Sequence, residues 1–301
     1  DYLLELPDRE TVSQLMAGLS KETVAPLKKH RHFSDLTTRS YPFFLDPMPS
    51  MYFTRDHGAM IRDRLLVSEM FNFARRRETL FIRYLQRYHP LFVETPLWID
   101  GEIPTGIEGG DMLIINPQTL LIGFSERTTE QAIEYVAHKL LIEHQELEQI
   151  IVVQIPAKRA YMHLDTVFTM VDYDKFVLYP GVEESLEVYA LTRGLGDMVE
   201  ARREDDLAQT LGRALRVRKV EIIHSGGNNP ITAAREQWSD SSNTLTVAPG
   251  KVICYNRNQV TNRVLREHGI EVIEIEGSEL VRGRGGPRCM SMPLARAAVQ
   301  S

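Results

Sequence analysis

Cysteine is scarce in this chain: two residues among 301, Cys254 and Cys289. Two thiols make no disulfide framework, and with neither a CxxC pair nor zinc-ligand spacing there is no sign of a dithiol or structural zinc site. Positive charge is short as well. Lys and Arg total 35 against 41 Asp and Glu, a net charge of -6, which argues against a general nucleic-acid binder. Apolar runs never reach the ~20 residues of a membrane-spanning helix, and no secretory signal pattern is visible. These absences read as a cytoplasmic chain in a reducing compartment. What remains is ordinary for a globular protein: 43% hydrophobic and 25% charged residues, and length enough for one large domain or two smaller ones. Cys254 in "KVICYN" has apolar neighbours and reads as core. Cys289 does not. It stands in "RGRGGPRCMSMPL", behind a run of Arg and Gly, where a mobile backbone and positive charge suit a reactive thiolate.

Periodicity divides the chain. Residues 1 to about 35 read as helical, with "PDRETVSQLMAGLS" and "KETVAPLKKHRH" as two pieces, and "SYPFFLDPMPSM" as an extended linker. A pattern then recurs. "MYFTRDHGAMIRDRLLVSEM", "IEGGDMLIINPQTLLIGFS", "YMHLDTVFTMVDYDKFVLYPGV" and "SSNTLTVAPGKVICYN" each read as a hairpin, with helical "RRETLFIRYLQRYH", "TTEQAIEYVAHKLLIEH", "EDDLAQTLGRAL" and "NQVTNRVLREHG" between them. Strands "QIIVVQIP", "KVEIIHS" and "IEVIEIE" follow helices. A strand-strand-helix-strand unit thus appears about four times, at roughly 50 to 80 residue spacing, the range of propeller-like or solenoid arrays. "CMSMPLAR" reads as a further strand at the chain end.

Polar residues mark the start of each hairpin: Asp56, then Glu108 and Asp111, then His163 and Asp165, then Asp240 and Asn243. Equivalent ends of repeated units gather at one end of a pseudosymmetry axis, which would bring several carboxylates, one His and Cys289 into one cavity. His163 and Asp165, two apart in a strand-like run, would share a face. As an isolated pair they read as an edge His beside a solvated Asp. A Cys with a distant His permits a cysteine protease, but that needs only one orienting carboxylate. Several carboxylates in one pocket repel unless a cation fills it. A planar guanidinium, with five donors in a fixed fork, fits better than a metal.

Taken together, "MPSMYFTRD", "EGGD", "LIGFSERTT", "MHLDTVFTMVD", "AAREQWSD" and "RGRGGPRCMSMPL" resemble the arginine deiminase family from about residue 40 to the C-terminus, in the family's order and spacing. The resemblance implies an α/β fold, a pseudo-fivefold propeller with an inserted helical bundle, of which residues 1–38 would be the end and 39–301 the catalytic domain. It implies that Cys289 attacks the guanidinium carbon of L-arginine, that Asp56 and Asp165 grip the guanidinium nitrogens, that His163 is general acid and base, and that Glu108 supports it. Arg75 and Arg127 would hold the substrate α-carboxylate, Arg284 would be a loop arginine gated by substrate, and Asn243 and Phe53 would line the pocket. Hydrolysis to citrulline and ammonia through a covalent thiouronium then needs no cofactor or metal. A homo-oligomer, dimer or tetramer, is implied, with no nucleic-acid or membrane partner. Alternatives are a hydrolase for agmatine or methylarginine, or an inactive arginine-binding homologue.

As residues alone, Arg75 in a run of three arginines reads as a solvated helix face, and Arg127 as a local partner of Glu126 or Glu130. Two positions depart from the family pattern. Ser50 stands where an Asn is usual, and Ser241 where a Gly is usual, so a positive φ at Ser241 would be strained. The family also has a first propeller unit and most of the bundle upstream of this start, so a longer natural chain is expected.

Overall fold

The computed structural model describes residues 2–28, 32–36 and 41–297. The N-terminal part is less helical than its pattern suggests. Helix α1 (Asp8–Ala17) stops at Gly18, whose φ is 83°. A short strand β1 (Leu19–Ser20) precedes α2 (Lys21–Val24) and α3 (Phe33–Leu36), and β1 pairs antiparallel with β2 (Phe43–Leu45) inside the supposed linker. Residues 29–31, at the tail of the second helical piece, and the expected boundary at 38–39 lie outside the described residues.

Four hairpins follow where the sequence put them. The first is β3 (Gly58–Ile61) with β4 (Arg64–Val67), followed by α4 (Glu78–Tyr88) and a parallel bridge from Leu65 to Leu97. The second is β5 (Met112–Asn116) with β6 (Thr119–Phe124), then α5 (Glu130–Ala137) and β7 (Gln149–Gln154), parallel to β6. The third is β8 (Phe168–Met170) with β9 (Lys175–Leu178). An unanticipated hairpin, β10 (Glu187–Arg193) with β11 (Val199–Glu204), and α6 (Leu207–Leu215) intervene before β12 (Glu221–His224) lies parallel to β9. Helix α7 (Pro230–Gln237) was also missed, although Asn229 caps it and Pro230 opens it. The fourth hairpin is β13 (Leu245–Ala248) with β14 (Lys251–Tyr255), then α8 (Gln259–Glu267) and β15 (Glu271–Ile275), parallel to β14.

The architecture is therefore mixed α/β, with several separate sheets. The widest, in the order β11-β10-β7-β6-β5, carries the central core. Its strands β6 and β7 are apolar on both faces, as a covered parallel pair requires. Alternation splits them between two clusters: Leu120, Ile122, Ile150 and Val152 pack under α5 with Trp98, while Leu121, Ile151 and Val153 pack with Phe168, Phe176 and Leu211. No helix among the described residues is long and apolar enough to cross a membrane.

Two local expectations fail. The segment after Cys289 carries no strand; residues 287–290 form a turn. Pro293 lacks the N–H a ladder needs, and the segment is held by side chains instead, Met292 against Met60, Leu65 and Val67 and Arg296 Nη1 donating to Met60 O at 2.8 Å. His163 and Asp165 are not in a strand either. They flank a 3₁₀ turn, Leu164–Thr166, just before β8. Equivalent turns, Thr54–His57 and Gly109–Asp111, precede β3 and β5, and successive turns touch. That stacking builds the site.

Candidate active site

The nucleophile candidate is enclosed. Cys289 is 5% exposed, its Sγ 3.7 Å from Asp165 Oδ2 and 3.9 Å from Oδ1. Its backbone is fixed on both sides: Cys289 N donates to Asn243 Oδ1 at 2.9 Å, and Arg55 N donates to Cys289 O at 3.1 Å. Asn243 is thus a bridge as much as a wall, since its Nδ2 donates to Asp165 O at 2.9 Å. Burial and the carboxylates of Asp165, Asp56 and Asp240 push the thiol well above its ordinary value, with Arg288 pulling the other way.

Asp56, which acts on the thiol, also stands beside a buried ion pair. His163 Nε2 meets Glu108 Oε2 at 2.7 Å, and His163 Nδ1 stands 3.7 Å from Asp56 Oδ1. Burial opposes the imidazolium, but the charge of Asp56 and the hydrogen bond and charge of Glu108 outweigh it, so His163 stays protonated up to about 10. Burial likewise opposes the Glu108 carboxylate, and His163, Arg75 and Arg127 bring its pKa below the ordinary value. Glu108 Oε1 accepts from Phe71 N at 3.1 Å. Close approach here demands glycine: a Cβ on Gly110 would lie 2.7 Å from the His163 ring, and one on Gly109 2.2 Å from Arg55 O.

Asp111 is structural rather than catalytic. Fully buried, it accepts from Ser125 Oγ and Thr128 Oγ1 at 2.7 Å each and from Leu164 N at 2.7 Å, tying the His163–Asp165 turn to the β6 end. Burial pushes its carboxyl up to about 6.

The arginines divide. Arg75 is no solvated helix residue. It ends a 3₁₀ turn, is 9% exposed, and donates from Nη1 to Asp56 Oδ2 at 2.7 Å and from Nε to Glu78 Oε2 at 3.0 Å. Burial opposes its charge, yet Asp56 and Glu78 more than compensate and raise its pKa. Glu78, which sequence reasoning missed, also meets His57 Nε2 at 3.1 Å and Ser50 N at 3.2 Å. In sequence it looked like an ordinary acid in a helix's first turn. Arg127 pairs with neither Glu126 nor Glu130 among the described ion pairs. Its Nη2 rests on Met162 Sδ at 3.5 Å, and its buried Nε and Nη1 have no hydrogen-bond partner.

The loop before Cys289 packs on aromatic rings. A Cβ on Gly285 would lie 2.2 Å from the Phe53 ring, and Tyr255 Oη donates to Gly285 O at 2.9 Å. Arg284, with φ 64°, lays its guanidinium 4.0 Å from the Trp238 ring centroid. Asp240, not Ser241, takes the left-handed conformation at φ 54°, one residue before the position expected to need it. Burial pushes the Asp240 carboxyl up to about 7 against the charge of Arg284.

Asp56, Glu108 and His163 offer ligand atoms within 4.8 Å of one another, a spacing a divalent cation could span. The Arg75 guanidinium and the protonated His163 already supply positive charge there.

Comparison with known proteins agrees with this chemistry. The arginine deiminase family profile matches residues 2–296. The chain belongs to the arginine deiminase family. An arginine deiminase from Bacillus thuringiensis subsp. konkukian is 45% identical over 302 residues, covering 98% of this chain and 73% of that one. Another from Listeria welshimeri is 44% identical, covering 98% and 74%. Among solved structures, DDAH from Pseudomonas aeruginosa, a mutant complexed with citrulline, superposes with a TM-score of 0.57 at 19% identity, over 82% of this chain and 78% of that one. Unliganded AgrE gives a TM-score of 0.57 at 17% identity; the match covers 82% of this chain but only 31% of AgrE. At such identities the likeness is one of fold.

Proposed function

We propose that this chain is an arginine deiminase, hydrolysing L-arginine to L-citrulline and ammonia, with its four units as blades of a pseudo-fivefold propeller and residues 1–38 as the end of a helical bundle. The observation that carries the reading is the convergence of Cys289, the His163–Glu108 pair and two aspartates in one buried site, with Cys289 Sγ 3.7 Å from Asp165 and His163 3.7 Å from Asp56.

The electrostatics give the order of events. In the free protein the thiol is neutral, because three carboxylates and burial oppose a thiolate. A bound guanidinium brings the missing positive charge, and the thiol proton is released to bulk solvent as the substrate binds. Asp56 and Asp165 hold the guanidinium nitrogens and keep its carbon near sulfur. The thiolate attacks that carbon. His163, protonated below about 10, gives its proton to the departing nitrogen, which leaves as ammonia. An S-alkylthiouronium remains on Cys289. The now neutral imidazole takes a proton from water as the oxygen adds to the same carbon. The carbon–sulfur bond then breaks, the added oxygen's remaining proton passes to the sulfur, and citrulline and the neutral thiol are released.

Arg127 offers the substrate carboxylate two unsatisfied donors. Arg75 serves chiefly through Asp56: Nη1 and Nε donate to Asp56 and Glu78, while Nη2, 2.9 Å from Glu78 Oε2, makes no hydrogen bond. Arg284 closes the loop over the substrate, leaving its place on Trp238.

The test is citrulline and ammonia release from arginine, with agmatine in parallel and Cys289→Ser as control. Citrulline from arginine alone, lost in the variant, is the expected result. Turnover of agmatine instead would overturn the substrate assignment.

A further inference from the structure

Both aspartates assigned to the substrate are built alike. Asp56 gives one oxygen, Oδ2, to a protein guanidinium, Arg75 Nη1 at 2.7 Å, while its buried Oδ1 has no hydrogen-bond partner. Asp165 gives Oδ2 to Arg288 Nη1, and the Cys289 sulfur lies against both carboxylate oxygens, 3.7 Å from Oδ2 and 3.9 Å from Oδ1. Arg288, immediately before the nucleophile, is 8% exposed. Its second nitrogen, Nη2, donates to Met112 O at 2.9 Å, and its own carbonyl accepts from Arg55 Nε at 3.2 Å and Ser291 Oγ at 3.0 Å. Both arms of the guanidinium fork are thus engaged, one on Asp165 and one on Met112 O.

We propose that Arg288 is a positioning residue for the chemistry at Cys289. It locks Asp165 by Oδ2, leaves Oδ1 without a protein cation for the substrate guanidinium, and lends positive charge to the thiolate. The proposal rests on the deiminase reading for its substrate half only. The groups facing Cys289 support the charge half. Asp165, Asp56 and Asp240, each from a different turn, all oppose a thiolate, and Tyr255 of β14 carries no positive charge. Arg55, behind the nucleophile, is opposed by burial and by Arg288 and favoured by Asp165 and Cys289. Arg288 lowers the thiol pKa, alongside Arg55 and the protonated His163 next to Asp56. Lysine would keep the charge but lose the fork that reaches Asp165 and Met112 together.

The experiment uses Arg288→Met and Arg288→Lys. The rate of Cys289 alkylation by iodoacetamide is followed against pH, read at the Cys289 peptide by mass spectrometry to exclude Cys254, and kcat and KM for arginine are measured on the same samples. Far-UV circular dichroism checks folding. An opposite charge at this range is worth ~1–3 pKa units. Arg288→Met should therefore alkylate at least ~10-fold more slowly near neutral pH, with its profile moved upward, and kcat/KM should fall ~100-fold. Arg288→Lys should recover much of the alkylation profile while KM stays raised. A folded Arg288→Met with the wild-type alkylation profile, or an Arg288→Lys no better than Met, would reduce Arg288 to a loop tie and end the proposal. Should Met not fold, Arg288→Gln replaces it in the comparison with Lys. Alkylation needs no turnover, so an absence of citrulline from the wild type would count against the deiminase reading alone.

Discussion

Arg127 gives the sharpest test of substrate choice. It is 9% exposed, its Nε and Nη1 lack partners, and Nη2 has only the Met162 sulfur at 3.5 Å. A buried donor without an acceptor costs stability unless a ligand satisfies it; hydrogen bonds involving a charged group contribute ~1.5–3 kcal/mol. Arg127→Met removes the guanidinium and keeps the apolar stem. Losing that interaction with the substrate carboxylate should lower kcat/KM for arginine by ~10- to 100-fold, chiefly through KM. Agmatine has no carboxylate, so any residual turnover of it should change by less than about threefold. The free protein should not lose stability, because an unpaired buried charge is replaced by an apolar group. The field of Arg127 does help ionise Glu108, which limits the gain. The assay is steady-state kinetics on both substrates, with thermal melts of the unliganded protein. Unchanged kinetics on arginine, or an equal loss on both substrates, would refute the carboxylate role; a large fall in melting temperature would show that Arg127 is structural.

The buried titratable groups predict an alkaline limit. His163 is raised from 6.5 to about 10, so its contribution to stability is fully present below pH 6.5 and is lost as pH rises through about 10. Melting temperature should thus fall between pH 8 and 10 in the wild type and less steeply in His163→Asn; parallel curves would contradict the pairing. Asp240, raised from 3.8 to about 7, destabilises the fold progressively as pH rises between those values and no further above about 7, so the melting-temperature advantage of Asp240→Asn over wild type should grow from pH 4 to pH 7 and then level off. Gly285→Ala would place a methyl group 2.2 Å from the Phe53 ring. The loop must shift, so arginine turnover should drop at least ~10-fold, and because residues 285–289 are buried the melting temperature should fall as well; wild-type kcat/KM would show that loop seating is irrelevant.

Much of this protein could be read from residues in order. Hairpins leave turn residues between apolar runs, and amphipathic helices leave a 3.6 period, so the four hairpins and the helices α4, α5, α6 and α8 were legible. The family motifs singled out Cys289, His163, Glu108, Asp56 and Asp165, and all five come together in the fold. The "GLGD" turn of the β10–β11 hairpin and the Asn-Pro start of α7 were equally visible and went unused.

Pairing across long separations was beyond the sequence. Nothing in "ARRR" distinguishes a solvated arginine from Arg75 locked between Asp56 and Glu78, because burial depends on which turns stack. Nothing local says that Arg288 reaches Asp165, 123 positions away, or that Asn243 bridges Asp165 to Cys289. The charge states follow from the same packing: desolvation and neighbouring carboxylates lift Cys289 and hold His163 protonated. The order of residues decided which chemical groups this protein has and which local elements carry them. Only the tertiary structure decided which carboxylates meet which cations, because those energies depend on distance and burial rather than on sequence spacing.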